Sequence, residues 1–311
     1  GSYRASLTLE GDPPLLLAGG CRHDGAGGWS RADGGSTTRL APTSGPALTV
    51  AGRDVQLAGL TLQAGDRVGS GLQVEHTLDV TAGVVTLQDA VIVGPQATSM
   101  NGSARSNAVR IRGGELRVYG GAIAGGEAAA NVFTGTAFAQ SRGITAFEDP
   151  ALRVRLVGAT LSGGAASGDG PSFARAVQQD AGTLHAYDNH FVGGDDTEVR
   201  SSTATELTAA MVRIDGAARA VLAGNVLDRP RAYFLLEDGI SRARGIEAID
   251  TPLLLDGNEI RGAEASAPND AFVTGVRVVG GSETWLRGNV IEGGRAQGSN
   301  ATRGSARIIA R

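Results

Sequence analysis

Short segments in which apolar and polar residues alternate run through the chain and recur at a nearly constant interval. Segments such as Val109-Arg-Ile111 and Val276-Arg-Val278 predict short β-strands with one buried face, because successive side chains of a strand point to opposite sides. No segment shows a convincing amphipathic helical stripe. The pattern therefore predicts an all-β chain built from many short strands.

A six-residue motif marks each interval: an apolar residue, any residue, Gly or Asp, Asn or a small residue, any residue, and Ile or Leu. Its clearest copies are 222–227, 255–260 and 286–291, and 17–22 reads as a further N-terminal copy. The intervals are roughly 30 to 38 residues, and each holds three strand signals. The fourth motif position along the chain is Leu60, Ala90, Gly121, Ala159, Asn189, Asn225, Asn258 and Asn289.

Repeats of this length bury an apolar face only by stacking on their neighbours. The repeat therefore predicts a right-handed parallel β-helix with three short strands per coil and roughly nine to ten coils. We expect a single domain over 1–311, with an N-terminal coil or cap region over 1–45 and regular coils over 46–311. The segment 304–309 matches the first strand of another coil, so the last coil is predicted to be incomplete. We expect either a fragment of a longer chain or a partner, including another copy, that stacks on this end.

Asn189, Asn225, Asn258 and Asn289 occupy the same motif position in consecutive repeats. We expect their side chains to stack as an amide ladder at a corner of the coil, where Asn also tolerates a left-handed backbone. A row of ligand-binding amides is the functional alternative.

These motifs resemble the pectin-lyase-like superfamily of right-handed parallel β-helices, and within it the repeat-rich surface proteins of bacteria. The likeness is carried by Gly-Val-Arg-Val at 275–278 and by Leu-Arg-Gly-Asn-Val-Ile-Glu-Gly-Gly at 286–294. The opening Gly-Gly-Cys-Arg at 19–22, followed by Trp-Ser-Arg at 29–31, is similar to the entry segment of such coils. The resemblance implies a bacterial extracellular or cell-surface protein. It implies little about activity, because the superfamily contains lyases, hydrolases, epimerases and proteins without known chemistry.

Composition narrows the possible functions. The chain has 28 basic residues, all of them Arg, and a formal net charge of −4, which argues against a general nucleic-acid binder. No apolar run is long enough to span a membrane. Aromatic residues make up only 4%, fewer than a sugar-cleaving groove usually needs, and one cysteine excludes an internal disulfide.

The most chemically dense segment is 185–200. Paired carboxylates there can perform glycoside chemistry or bind Ca²⁺ through oxygen ligands. The catalytic candidates are Asp195, Asp196 and His190, and the Ca²⁺ candidates are Asp195, Asp196 and Glu198; no other cofactor is predicted. A solvated polar loop is the alternative. The Asp195-Asp196 pair is similar to that of the β-helix polygalacturonases, but the Gly-His and Arg-x-Lys motifs of that family are absent from this chain.

Two further features concern the surface. The longest insertions, 127–140, 165–173, 195–207, 229–241 and 263–271, are predicted to be stacked loops that offer a face to carbohydrate or to another surface protein. The middle residues of the first strand in each repeat form a row that is predicted to point outward, with neighbouring side chains about 5 Å apart. Within this row Arg213, Glu247 and Arg277 alternate in charge, as the members of an ion ladder would. An anion-binding stripe is the alternative for this row, which comprises Arg110, Thr145, Gln178, Arg213, Glu247, Arg277 and Arg307.

The sequence thus supports two functions. The first is a non-catalytic extracellular or cell-surface module that acts as a rigid scaffold, spacer or adhesive face. The alternative is a polysaccharide lyase or glycoside hydrolase that acts on a surface or environmental glycan. The sequence leaves enzymatic activity uncertain but favours a protein that is not an enzyme, because no complete catalytic constellation is present.

Overall fold

The fold is a parallel β-solenoid of about eight turns of about 33 residues. The computed structural model describes residues 1–23, 29–31, 38–130, 137–201, 206–234, 239–280, 283–298 and 301–309. The regular elements of these residues are β-strands, so the predicted all-β coil is confirmed, with a turn number close to the nine to ten predicted. Within this part of the chain there is no helix with the length and apolar character needed to cross a membrane.

Three parallel sheets form the sides of the coil, and in each the strands of successive turns pair in order. Sheet B consists of Leu7–Glu10, Leu48–Ala51, Gln73–Ala82, Ala104–Ile111, Ala139–Ala146, Ser172–Gln179, Glu206–Asp215, Ile240–Ile249, Asp270–Val279 and Thr302–Ile309. Sheet C consists of Leu15–Ala18, Val55–Ala58, Val84–Gln88, Glu115–Tyr119, Arg153–Val157, Thr183–Tyr187, Arg219–Ala223, Leu253–Asp256 and Thr284–Arg287.

Sheet A follows the repeat motif and has two parallel ladders. The first consists of Ser2–Tyr3, Thr38–Leu40, Leu60–Gln63, Val91–Val93, Ala122–Ala124, Thr160–Gly168, His190–Ser201, Val226–Leu227, Glu259–Ile260 and Val290–Ile291. The second continues through Thr160–Gly168 and His190–Ser201 and adds Arg67–Gly69, Gln96–Ser99, Glu127–Ala130, Pro230–Phe234, Glu264–Ser266 and Arg295–Gln297. A short antiparallel hairpin joins Cys21–His23 to Trp29–Arg31.

The main core lies inside the three sheets and is built from stacked aliphatic rows. Leu78, Val109 and Ile144 are register partners in sheet B, and all three are fully buried. Equivalent rows of Leu, Val and Ile come from the inward positions of sheets A and C. The alternation seen in the sequence therefore corresponds to one face of each strand packed in this core.

A second, smaller core lies beside the first, and it corrects one expectation. The predicted loops after the Gly-Gly steps are largely strands of the second sheet A ladder, which pack on the N-terminal halves of the sheet B strands. We call this two-layered extension the flange. Its interior is mostly alanine, including the fully buried Ala128, Ala139 and Ala232. Alanine stands at the buried positions of these strands, where bulky apolar residues would have indicated a strand. The composition of the segments therefore suggested loops. Their tips, 131–136, 202–205 and 235–238, lie outside the described residues.

The Gly-Gly steps mark the junction between the main core and the flange. A Cβ atom on Gly126 would lie 1.9 Å from the carbonyl oxygen of Pro95, and one on Gly164 would lie 2.0 Å from that of Gly126. Gly164 also has a φ of +74°, which side chains disfavour. Glycine is required here because successive turns of the backbone touch.

Candidate functional site

The corner between sheets C and A holds the four motif asparagines in a continuous ladder. The Nδ2 of Asn189 donates to the Oδ1 of Asn225 at 2.9 Å, and the same bond joins Asn225 to Asn258 and Asn258 to Asn289. Each Oδ1 also accepts the backbone N–H one turn earlier, and each Nδ2 donates to a backbone carbonyl. Asn189, Asn225 and Asn258 are buried and saturated with bonds, so these three stabilise the corner and offer no free amide to a ligand.

The left-handed backbone of this corner lies one residue before the position expected from the sequence. The positive φ angles belong to Asp188, Gly224, Gly257 and Gly288, each directly preceding a ladder asparagine. Asn tolerance of that conformation is therefore not what selects it here. The ladder bonds require an amide at the next position.

The dense segment 185–200 is divided between two sides of the solenoid. His185 lies on the outer face of sheet C, whereas His190 and the acidic residues lie on sheet A beyond the Asn189 corner. The Nε2 of His190 lies 2.7 Å from the Oδ2 of Asp228, and Arg261 lies 2.6 Å from the other oxygen of that carboxylate. His190 thus contacts an acid from the following turn and not Asp195 or Asp196.

Two of the candidate carboxylates form ion pairs with arginines. The Nη1 of Arg231 lies 2.9 Å from Asp195, and the Nη2 of Arg200 lies 2.7 Å from Glu198. The Asp195 side chain is 77% exposed, and Asp196 is also exposed. Across the described part of the chain, no three His, Cys, Asp or Glu side chains are grouped as metal ligands would be. The segment is arranged as an ion-paired outer surface.

The outward row of sheet B has the predicted register, and the ion ladder is present in part. Arg213, Glu247 and Arg277 are neighbours in successive strands, and Arg277 pairs with Glu247. Arg213 instead pairs with Asp215 of its own strand at 2.7 Å. Glu247 takes Arg244 as its second partner at 2.7 Å. Burial would raise the pKa of Glu247, but the surrounding arginines hold it below its ordinary value.

A different surface carries several arginines without an ion-pair partner. It is the outward side of four neighbouring strands of sheet C, 115–119, 153–157, 183–187 and 219–223. We call it the basic face. Its charged residues are Glu115 and the arginines 117, 153, 155 and 219, a formal balance of 4 − 1 = +3. Arg117 binds Glu115 at 2.8 Å, but no ion pair in the described structure reaches Arg153, Arg155 or Arg219. All three are exposed.

The positive charges of the basic face are held close together by the strand register. Arg117 is the register partner of Arg155, which is next to His185, and Arg153 is two strands from Arg219. Like charges directly opposite each other on neighbouring strands are destabilising. The Arg117 hydrogen bond and the surrounding arginines hold the pKa of Glu115 below its ordinary value. Burial, together with Arg219 and Arg155, lowers the pKa of His185, so this ring adds no charge at neutral pH.

Aromatic rings and open depressions flank these arginines. Tyr119 and Tyr187 lie half-buried along one edge, and the Tyr187 ring meets His185 edge to face at a centroid distance of 6.2 Å. At one end a depression is lined by Leu16, Gln56, Thr86 and Arg117, and at the other end one is lined by Arg219, Leu254, Glu283 and Trp285. The face is therefore an open, shallow surface and not a closed cleft.

Sequence reasoning missed the basic face because it followed the apolar members of the Val-x-Leu pairs and not the residues between them. Those intervening positions read Gln56, Thr86, Arg117, Arg155 and His185. Once the coil register is known, this series aligns as one row.

Comparison with known proteins gives no relative. No family model, curated protein or solved structure matches the chain. The fold defines the protein as a parallel β-solenoid.

Proposed function

We propose that this chain is a non-catalytic solenoid module that adheres to acidic polysaccharides through the basic face of sheet C. The observation that carries the proposal is the set of exposed, unpaired arginines 153, 155 and 219 on neighbouring strands of one rigid sheet.

The charge pattern favours a polymer over a small ligand. The coils place equivalent side chains about 4.8 Å apart along the solenoid axis. Arg117 and Arg155 lie one such step apart in one row, and Arg153 and Arg219 lie two steps apart in the next row. Guanidinium groups bind carboxylates through two parallel hydrogen bonds. A linear chain with a carboxylate on successive sugars can contact several of them at once, and the combined contacts raise the affinity.

The aromatic residues and the overall charge favour a glycan over a nucleic acid. Tyr119, Tyr187 and His185 offer half-exposed rings on which a sugar can pack. The chain as a whole carries a net charge of −4, so outside this face its field repels the densely charged backbone of a nucleic acid.

The arrangement of the candidate acids supports the non-catalytic part of the proposal. Asp195 and Glu198 are each bound by an arginine and lie on sheet A, away from the basic face. Glu115 is the single carboxylate among the outward residues of the basic face, and Arg117 binds it. Acid–base cleavage of a glycosidic bond uses two carboxyl groups about 5–10 Å apart.

Membership in the pectin-lyase-like superfamily and an extracellular location on a bacterial cell are part of the same proposal. The resemblance in the motif and the asparagine ladder between two parallel sheets support the first. A surface location follows from the resemblance and suits a module that binds glycans.

Binding should be measured with soluble alginate and hyaluronate, with neutral dextran and duplex DNA as comparison polymers. We expect salt-dependent binding to the acidic glycans and little binding to dextran or DNA. Replacing Arg153, Arg155 and Arg219 together by Glu should weaken the binding by about tenfold or more, because favourable charge contacts become repulsive. A matched variant with Arg200, Arg229 and Arg295 replaced by Glu carries the same charge change on the sheet A side and should bind nearly as wild type does.

Three results would contradict the proposal. Equal losses in both triple variants would mean that only net charge matters. Stronger binding to DNA than to the glycans would assign a nucleic-acid ligand. Release of new reducing ends or of unsaturated products from the glycans would establish an enzyme. Circular dichroism of each variant checks that it folds.

A further inference from the structure

The long strands of sheet B bend where they pass from the flange to the main core, and this bend forms a polar crease. Residues three apart would lie on opposite faces of a regular strand. Here His76 contacts Asp79, Arg175 contacts Gln178, and Arg244 contacts Glu247 on the same outer side. We use the word crease for the two outward rows that meet at this bend.

At each end of the crease a carboxylate binds two arginines directly. At one end Asp79 binds Arg110 at 2.7 Å and Arg112 at 3.1 Å. At the other end Glu247 binds Arg244 at 2.7 Å and also pairs with Arg277. In both places a buried acid accompanies the arginines that surround it.

The middle of the crease lacks this compensation. Arg142 and Arg175 are register partners on neighbouring strands, and the oxygens they bind belong to neutral amides. Arg175 donates to the Oε1 of Gln178 at 2.6 Å, and Arg142 donates to that of Gln140. Within the described structure, neither arginine has a carboxylate oxygen within the 4.0 Å of an ion pair.

Both arginines are nevertheless nearly enclosed. Arg142 is 9% exposed and Arg175 is 3% exposed, and the Nε of each has no hydrogen-bond partner. Burial lowers the pKa of Arg142 to about 10 and that of Arg175 to about 9, and a neighbouring guanidinium contributes to each shift, Arg105 to the first and Arg142 to the second. Both remain cationic at neutral pH, and buried charges are normally paired.

The neighbouring acids only partly compensate these charges. Glu247 attracts Arg175 but is already paired with Arg244 and Arg277. Asp180 accepts a hydrogen bond from Gln178, its Oδ1 has no partner, and burial raises its pKa. It faces Arg142, Arg175 and Arg213, and the last of these is already paired with Asp215. The middle of the crease therefore has an excess of positive charge.

We propose that Arg142 and Arg175 form a binding site for one small anion, a carboxylate or an inorganic oxyanion, in the middle of the crease. Two guanidinium groups on adjacent strands match the geometry that such anions prefer. This site is separate from the basic face and does not depend on the proposed function. The equivalent positions in Ile240–Ile249, Arg244 and Glu247, show the same arrangement with the anion supplied by the chain itself.

This comparison supplies the test. In Gln178→Glu the chain would carry its own counter-ion beside Arg175, as it does at Glu247, with almost no change of side-chain volume. Apparent melting temperature and calorimetric binding should be measured with sodium sulfate, phosphate, acetate, glucuronate and neutral glucose, at constant ionic strength set by chloride. Gln297→Glu on the exposed edge of the flange carries the same charge change and serves as the matched control.

We expect at least one of the anions to raise the melting temperature of the wild type by about 2–5 °C over chloride, with no effect of glucose. Gln178→Glu should melt higher than wild type without added anion and bind the anion about tenfold or more weakly, whereas Gln297→Glu should behave as wild type does. Binding of acetate as well as glucuronate assigns a free carboxylate, and binding of glucuronate alone assigns an acidic sugar.

An equal melting temperature in chloride and in every tested anion would overturn the proposal, and so would unchanged anion binding in Gln178→Glu. Arg175→Gln should also lose the anion effect. If that variant does not fold, Gln178→Glu still decides, because it keeps the packing and removes only the hydrogen bond that Gln178 donates to Asp180.

Discussion

Replacing Asn225 by Ala tests how much the amide ladder stabilises the solenoid. Asn225 is completely buried and takes part in five hydrogen bonds. It donates to Asn258 and to the carbonyl oxygens of Ala186 and Ala223, and it accepts two bonds from Asn189. Alanine already occupies this corner at Ala90 and Ala159, so the backbone itself tolerates the change.

The expected loss follows from the groups that the substitution leaves without partners. The backbone N–H of Asn189 and the carbonyl oxygen of Ala186 would remain in a site closed to water. An unsatisfied buried group costs about 1–3 kcal/mol, so the free energy of unfolding should fall by about 2–6 kcal/mol. Asn289→Ala is the comparison variant, because Asn289 accepts the same two bonds from the preceding asparagine and donates to a backbone carbonyl, but it is the last asparagine of the ladder and only partly buried. Water can replace those bonds, and we expect a loss of about 1 kcal/mol.

Urea unfolding followed by circular dichroism measures both variants. The reasoning would be refuted if Asn225→Ala lost less than about 1 kcal/mol, or if Asn289→Ala lost as much as Asn225→Ala.

Three further predictions address the flange, the crease and sheet A. Ala128→Leu should lower the free energy of unfolding by about 1–3 kcal/mol because it overpacks the flange, whereas Ala129→Leu, on the outward side of the same strand, should have little effect in urea unfolding. Burial alone would raise the pKa of Asp79, but the nearby His76 and the bonds from Arg110 hold it far below its ordinary value. Its stabilising effect therefore exists above about pH 4 and is lost as the pH falls. Asp79→Asn should therefore be less stable than wild type at pH 7 and show a smaller loss between pH 4 and 2; parallel acid curves would contradict this. Burial and the bond to Glu264 raise the pKa of Tyr233 to about 12. Ultraviolet titration of Tyr233→Phe should therefore lack an ionisation step that the wild type shows near that pH. The contribution of Tyr233 to stability should disappear as the pH rises from about 10 to 12.

The sequence predicts the coil well because the repeated residues are the side chains that the main core requires. The apolar rows through Leu78, Val109 and Ile144 and the asparagines at one corner are both direct consequences of stacking. Each signal recurs in several turns, so no single residue has to carry the prediction.

The flange could not be read in the same way. Its interior residues, such as Ala128 and Ala232, are small because two sheets approach closely there, and alanine does not signal a strand. The alternation of buried and outward positions is nevertheless present in Glu127–Ala130.

The candidate sites depend on register across turns, which the order of residues along the chain conceals. His185 and Asp195 are close in sequence but lie on different sheets. Arg153 and Arg219 are far apart in sequence but lie on the same face. Single-strand patterns show only some of the acids that pair with arginines, since others, such as Asp228 for Arg261 and Glu247 for Arg277, come from a different turn.

Arginine-specific chemical modification, read by mass spectrometry with and without saturating alginate, tests the central claim most directly. All basic residues of the chain are arginines, so one reagent reports on every face. If the basic face binds acidic polysaccharides, alginate should protect Arg117, Arg153, Arg155 and Arg219 and leave Arg200 and Arg295 as reactive as in the free protein. Protection of Arg200 and Arg295 with the basic face still fully reactive would contradict binding at this face.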